Sequence, residues 1–152
     1  MNKEELNKAL NDALGLVSYI HYPLSASTNA QPVIRRINTE QDPDLLKLMM
    51  DTKDLIYVDF TMPQNQDKLI HFTLTQIPDM QLEIKFVSYP DVVGYKCMFN
   101  CENSHPVCSA IDYGETINEA IIKSAIKLFN FWAKGITEKQ YKTLAQQIDW
   151  CR

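Results

Sequence analysis

Residues 82–99, LEIKFVSYPDVVGYKCMF, decide the fold class. Leu82, Ile84 and Phe86 alternate with Glu83, Lys85 and Val87; beyond Ser88–Val92, Val93, Tyr95, Cys97 and Phe99 alternate with Gly94, Lys96 and Met98. A strict period of two sorts side chains onto opposite faces of a strand, one buried and one wet, as antiparallel sheets require. The intervening SYPDV is short and carries Pro90 and Asp91, residues suited to a tight connection. The two runs read as a hairpin.

The same period extends outward. Ile56, Val58 and Phe60 alternate with Tyr57, Asp59 and Thr61, and Ile70, Phe72 and Leu74 with His71, Thr73 and Thr75. MPQNQDK (62–68) and IPDM (77–80) then serve as connections, and a further strand from Val107 to Asp112 pairs back through the ENSHP turn (102–106). The expectation is a four- to five-stranded antiparallel meander.

Helical spacing frames these strands. Asn2 with Glu5 makes a capping box, and Leu6, Ala9, Leu10, Ala13, Leu14 and Val17 form the apolar stripe, with Lys3, Lys8, Asn11 and Asp12 elsewhere. Gly15 ends or bends this helix. Ser27 or Thr28 could cap a short second helix through Arg36, its start limited by Pro32, and Asp42-Pro43 opens another that stops near Thr52. Gly114 is a turn residue before a third capping signal, Thr116 with Glu119. Ile117, Ala120, Ile121, Ala125, Leu128, Phe129 and Trp132 line that helix, and Gly135 stops it. Thr137 with Gln140 starts a last helix carrying Tyr141, Leu144, Ala145 and Ile148. Helices, strands, then helices make an α+β plan, with the N- and C-terminal helices packed on the sheet in one domain, 1–152.

Composition narrows the function classes. Hydrophobic residues are 45% of the chain, enough for a sizeable core, and the formal net charge of −4 is the wrong sign for general nucleic-acid binding. No apolar run approaches the ~20 residues that span a bilayer, and the polar N-terminus lacks a signal-peptide core. Those features predict a cytoplasmic protein without membrane contact.

Cys97, Cys101, His105 and Cys108 carry zinc-type ligands. Along an unbroken strand Cys97 and Cys101 would stand about 13 Å apart, at roughly 3.3 Å per residue, too far to share one ion. Cys97 therefore reads as a small core residue, leaving Cys101, His105 and Cys108 as weak metal candidates or hairpin residues; no metal or cofactor is expected. His21, His71 and His105 are scattered, and neither a nucleophile elbow nor a P-loop occurs. Asp59 and Glu83 would pair only on neighbouring strands. For a ligand, the parts available are Ser27 and Thr28 at a helix start, the Arg35–Arg36 pair, and Tyr22, Tyr89 and Tyr113: helix N–H groups, guanidinium and aromatic faces, as a phosphate-bearing nucleotide would use.

LNKALNDALGL (6–16) followed by YPLSASTNAQPVIRRI (22–37), and the later GETINEAIIKSAIKLF (114–129), resemble the opening and closing helices of the phage α-β-α sandwich domain family. The resemblance implies a phage or prophage accessory protein with helices on both sheet faces, acting by binding, as in sequestering a host immune nucleotide signal. A strand followed by GETINEAIIKSAI is also similar to the partial RNase H-like domain of HicB-type antitoxins. The leading expectation is a non-enzymatic, homo-oligomeric accessory protein that binds a small nucleotide or a host protein in counter-defence. The alternative is a small hydrolase or nucleotide-processing enzyme using carboxylates of the polar sheet face.

Overall fold

The computed structural model describes residues 2–21, 33–36, 44, 55–101, 108–132, 136–148 and 150–151. Along them run α1 (Lys3–Leu14), β1 (Ser18–His21), β2 (Val33–Arg36), β3 (Leu55–Val58), α2 (Pro63–Gln76) and β4 (Met80–Ser88). Then follow β5 (Val93–Cys101), β6 (Cys108–Gly114), α3 (Ile117–Lys127), α4 (Glu138–Ala145) and β7 (Trp150–Cys151). Two antiparallel sheets result, β2-β1-β3-β7 and β4-β5-β6. The α+β class stands, but the meander is only β4-β5-β6, because β3 joins β1 in the other sheet. The helix expected from Pro43 lies outside the described residues except for Asp44, which is helical.

The expected strand over 70–74 is instead the second half of α2. Pro63 occupies the first helical turn, where its missing N–H costs nothing, so the supposed connection MPQNQDK opens a helix. Asn65, Leu69, Phe72 and Thr73 are its buried residues, a helical rather than a period-two set, and Leu74 is exposed. Thr73 and Thr75 hydroxyls donate to the Leu69 and His71 carbonyls (both 2.8 Å), so neither needs a strand partner. His71 thus sits exposed on a helix, not on the polar face of a strand.

Both terminal capping boxes form as read, Asn2 with Glu5 and Thr137 with Gln140, and Gly15 closes α1 in the left-handed conformation (φ 66°). The box at Thr116 is only half made. Thr116 Oγ1 accepts from Glu119 N–H (3.1 Å), but the Glu119 carboxylate accepts from Glu115 N–H (3.2 Å) and pairs with Lys123 (3.0 Å). The Lys123 ammonium holds the Glu119 carboxyl below its ordinary 4.5 against opposing burial, with the Glu115 N–H assisting. A depressed folded-state value means the stabilisation is present above pH 4.5 and is lost as pH falls through the lower folded value. Glu119→Gln is therefore expected to cost about 0.5 kcal/mol at neutral pH. That difference should vanish in melts run well below pH 4.5; a constant difference would reject the ion pair as its source.

α3 covers the β5–β6 part of its sheet and is itself covered by α1. It packs on β5 and β6 and also against α1, and Ala120, Ile121, Ile122, Ser124 and Ala125 are buried around much of its circumference. Ser124 Oγ donates to the Cys97 carbonyl (2.7 Å), fixing the helix over the middle of β5. Its last turn widens into a π-turn, Leu128–Trp132, which buries Leu128 and Phe129 and leaves Phe131 exposed.

Asparagines lock the end of β3. Asn11, fully buried on α1, donates through Nδ2 to the Val58 carbonyl (2.8 Å) and accepts at Oδ1 from Val58 N–H (2.9 Å), as a neighbouring strand would. Asn7 Oδ1 accepts from Phe60 N–H (2.8 Å) while its Nδ2 donates to the same Val58 carbonyl (2.9 Å). Asn65 of α2 donates to the Asp59 carbonyl (3.0 Å) and Asn118 of α3 to that of Phe60 (3.1 Å). The chain leaves the sheet here, and buried peptide groups without partners would cost free energy, so amides from three helices supply them. The expectation that Asn11 lies off the buried stripe is overturned by this demand.

Candidate interaction surface

The β4–β5 hairpin keeps one register from Met80↔Cys101 to Ser88↔Val93. Beyond it, Tyr89 N–H donates to the Val92 carbonyl (2.8 Å) and Val92 N–H to that of Tyr89 (3.3 Å), closing the turn over Pro90-Asp91. The register puts Met80, Leu82, Ile84 and Phe86 on one face with Tyr95, Cys97, Phe99 and Cys101, the face on which α3 lies. Gln81, Glu83 and Lys85 share the opposite face with Lys96, Met98 and Asn100. No packing of α3 on β4 matches its packing on β5 and β6, and α2 adjoins β4. Exposure therefore climbs along one apolar row: Met80 7%, Leu82 half-buried, Ile84 36%, Phe86 63%.

Phe86 meets Tyr95 edge to face, ring centroids 5.4 Å apart, and Val93 (66% exposed) continues the same face. Tyr89 stands exposed at the turn. Ile117, the exposed first residue of α3, comes three positions after Gly114, the register partner of Tyr95. Phe86 and Val93 thus form an exposed apolar patch on this face of the hairpin. The opposite face carries Lys85 on Glu83 (2.6 Å), while Val87 at its turn end is buried. That ion pair lowers the Glu83 carboxyl and raises the Lys85 ammonium.

The residues singled out by sequence do not assemble into a described site. Ser27, Thr28, Tyr22 and His105 lie outside the described residues. Arg35 and Arg36 fall on β2, opposite Tyr19 and Ser18, so the expected helix through Arg36 is a strand there. Cys101 is buried, its Sγ 3.7 Å from the Pro78 carbonyl, and its register partner is Cys108. Cys97 is the core residue its position implied: burial pushes its thiol up to about 11, and Ser124 only partly offsets that. Among the described residues no group of His, Cys, Asp and Glu could hold a metal, and no helix is long and apolar enough to cross a membrane.

Glu83 is on β4 and Asp59 follows β3 of the other sheet, so they are not on neighbouring strands as a carboxylate pair would need. The Asp59 carboxylate accepts from both the backbone N–H and the hydroxyl of Thr61, closing the turn after β3. A groove of about 490 Å³ beside α1 is lined by Glu4, Glu5, Asn7, Lys8 and Tyr57. Two carboxylates against one ammonium do not favour a phosphate, and Glu5 and Asn7 are already engaged in the helix cap and the β3 lock.

Comparison with family models, curated proteins and solved structures finds no match. Nothing outside the chain's own geometry therefore bears on its site.

Sequence patterning took Ile84, Phe86 and Val93 as the buried face. All three are instead exposed, and Val87, on the face read as wet, is buried; a period of two cannot say how much of a face its neighbours cover. The usable signal was the aromatic pair Phe86 and Tyr89 beside a turn, where covering elements are fewest.

Proposed function

We propose that the protein is a non-enzymatic accessory protein of a phage or prophage that binds a host protein through the β4–β5 hairpin, in a counter-defence role. Exposed Phe86 and Val93, on one face of the hairpin with half-buried Tyr95, carry this reading. Such a patch offers aromatic anchors, the side chains that dominate protein interfaces. The phage setting comes from the resemblance of residues 6–37 and 114–129. A nucleotide ligand would engage Ser27, Thr28, Arg35 and Arg36, for which no side-chain geometry is described.

Val93→Asp tests the reading. At a site 66% exposed the substitution is expected to change stability by less than about 0.5 kcal/mol, while a charge in the patch weakens partner binding at least about tenfold. Pull-down from host extract followed by binding titration of the captured protein with both variants gives the comparison. Equal retention by both variants rejects the hairpin as the site. Nucleotide recovered intact from denatured protein would instead favour a sequestering role, and an altered nucleotide an enzyme.

A further inference from the structure

β4 is an edge strand of β4-β5-β6, and among the described residues no strand pairs with its outer side. Which peptide groups face that open side follows from the turn. Tyr89 and Val92 exchange both hydrogen bonds, so theirs is a bonded pair of the antiparallel ladder. Bonded pairs recur every second residue, and the register is unbroken, so Val87, Lys85 and Glu83 turn their peptide groups toward β5. Leu82, Ile84 and Phe86 turn theirs outward. These same residues carry the increasingly exposed apolar row.

The order of residues along this edge is self-complementary. Around Ile84 the neighbours are Glu83 and Lys85, then Leu82 and Phe86. Reversing the strand about Ile84 sets each Glu83 opposite a Lys85 and each Leu82 opposite a Phe86. It also sets Ile84 opposite Ile84 as a bonded pair, in keeping with its outward peptide groups. Centring on Leu82 or Phe86 would keep the hydrogen bonding but set Glu83 against Gln81 or Tyr89, and centring on Glu83 or Lys85 would present peptide groups already used by β5. Of these centres, only Ile84 sets both Glu83 and Lys85 against an opposite charge while keeping the hydrogen bonding and the apolar pairing.

We propose that the open edge of β4 binds a second copy of this chain, antiparallel, on a two-fold axis at Ile84, making one continuous sheet across two protomers. Glu83 and Lys85, paired within one strand at 2.6 Å, then become a four-charge cluster with the partner's Lys85 and Glu83. Hairpin turns lie at opposite ends of the joined sheet, leaving Tyr89 and Val93 available. The inference does not rest on the proposed host partner, because a dimer can exist whether or not the patch binds one.

Sedimentation equilibrium of the full chain tests it. The native protein is expected to be a concentration-dependent dimer. Glu83→Lys and Lys85→Glu, each setting like charges opposite each other twice, should each raise the dimer dissociation constant at least about tenfold. The double swap E83K/K85E should restore dimerisation, and an equimolar mixture of the two single variants should form a heterodimer, since every facing pair is then opposite in charge. Ile84→Pro should give a monomer with native circular dichroism, because the lost N–H points outward and proline is tolerated on an edge. A native protein that stays monomeric into the millimolar range would overturn the proposal. So would a dimer that both single charge variants leave unchanged, or one that the double swap and the mixture fail to restore.

Discussion

Asn11→Ala is expected to lower the unfolding free energy by about 3 kcal/mol, read as a fall in urea midpoint at unchanged slope. Asn11 is fully buried, and its Oδ1 is the acceptor seen for Val58 N–H. Alanine leaves that donor in the core without a partner, removes the Nδ2 bonds to Val58 and Asn7 carbonyls, and opens a void. The Val58 carbonyl keeps Asn7 Nδ2 at 2.9 Å, which bounds the loss. Asn11→Asp should be worse than alanine at neutral pH, since a buried carboxylate would face two carbonyl oxygens. Burial raises such a carboxyl, so the aspartate variant should regain stability as pH falls and its protonated oxygen donates again. A loss under about 1 kcal/mol for alanine would mean that the asparagines are spectators of the β3 exit.

Gly114→Ala should lower the melting temperature by about 6–12 °C, corresponding to roughly 3 kcal/mol for a chain of this size. A Cβ at Gly114 would lie 2.5 Å from the Ala120 backbone nitrogen and 3.0 Å from the Glu119 carbonyl carbon. These are main-chain atoms in the first turn of α3, so no side-chain rotation relieves the clash; β6 and the helix must separate. The same junction is tight on its other side, where a Cβ at Gly94 would meet the Gly114 carbonyl oxygen at 2.5 Å. The sign of the effect discriminates. On chain entropy alone, replacing a strand glycine by alanine would stabilise by about 0.5–1 kcal/mol. An unchanged or raised melting temperature would therefore deny the close approach of β6 to α3.

Gly114 also shows how far sequence patterning reaches. Its place before Thr116 marks it as a turn residue, and it does end β6 immediately ahead of the α3 cap. The need for glycine there is a contact with residues five and six positions on, which exists only once the helix folds back on the strand. Asn11 is a parallel case. By residue type it belongs to the wet side of α1, yet β3 at Val58 has β7 on one side only and runs past its pairing with β1 on the other, which draws the amide inward. For α2, the alternation of Ile70, Phe72 and Leu74 imitates a strand only while Leu69 is ignored. Pro63 as a first-turn residue was the opposing signal.

The hairpin at 82–99 was legible from the start, with its turn at Pro90-Asp91 and the sets of residues that share each face. These depend on neighbours two residues apart, and a local rule can read them. The caps at Asn2, Thr137 and, in half, Thr116 were legible for the same reason. Sequence could not show that α3 would sit over β5 and β6 and leave the outer half of β4 bare. That is set by where α2 and α3 come to rest, a balance of contacts between segments far apart in the chain. The placement makes a row of ordinary core residues, Ile84 and Phe86, into an exposed ridge beside an open strand edge.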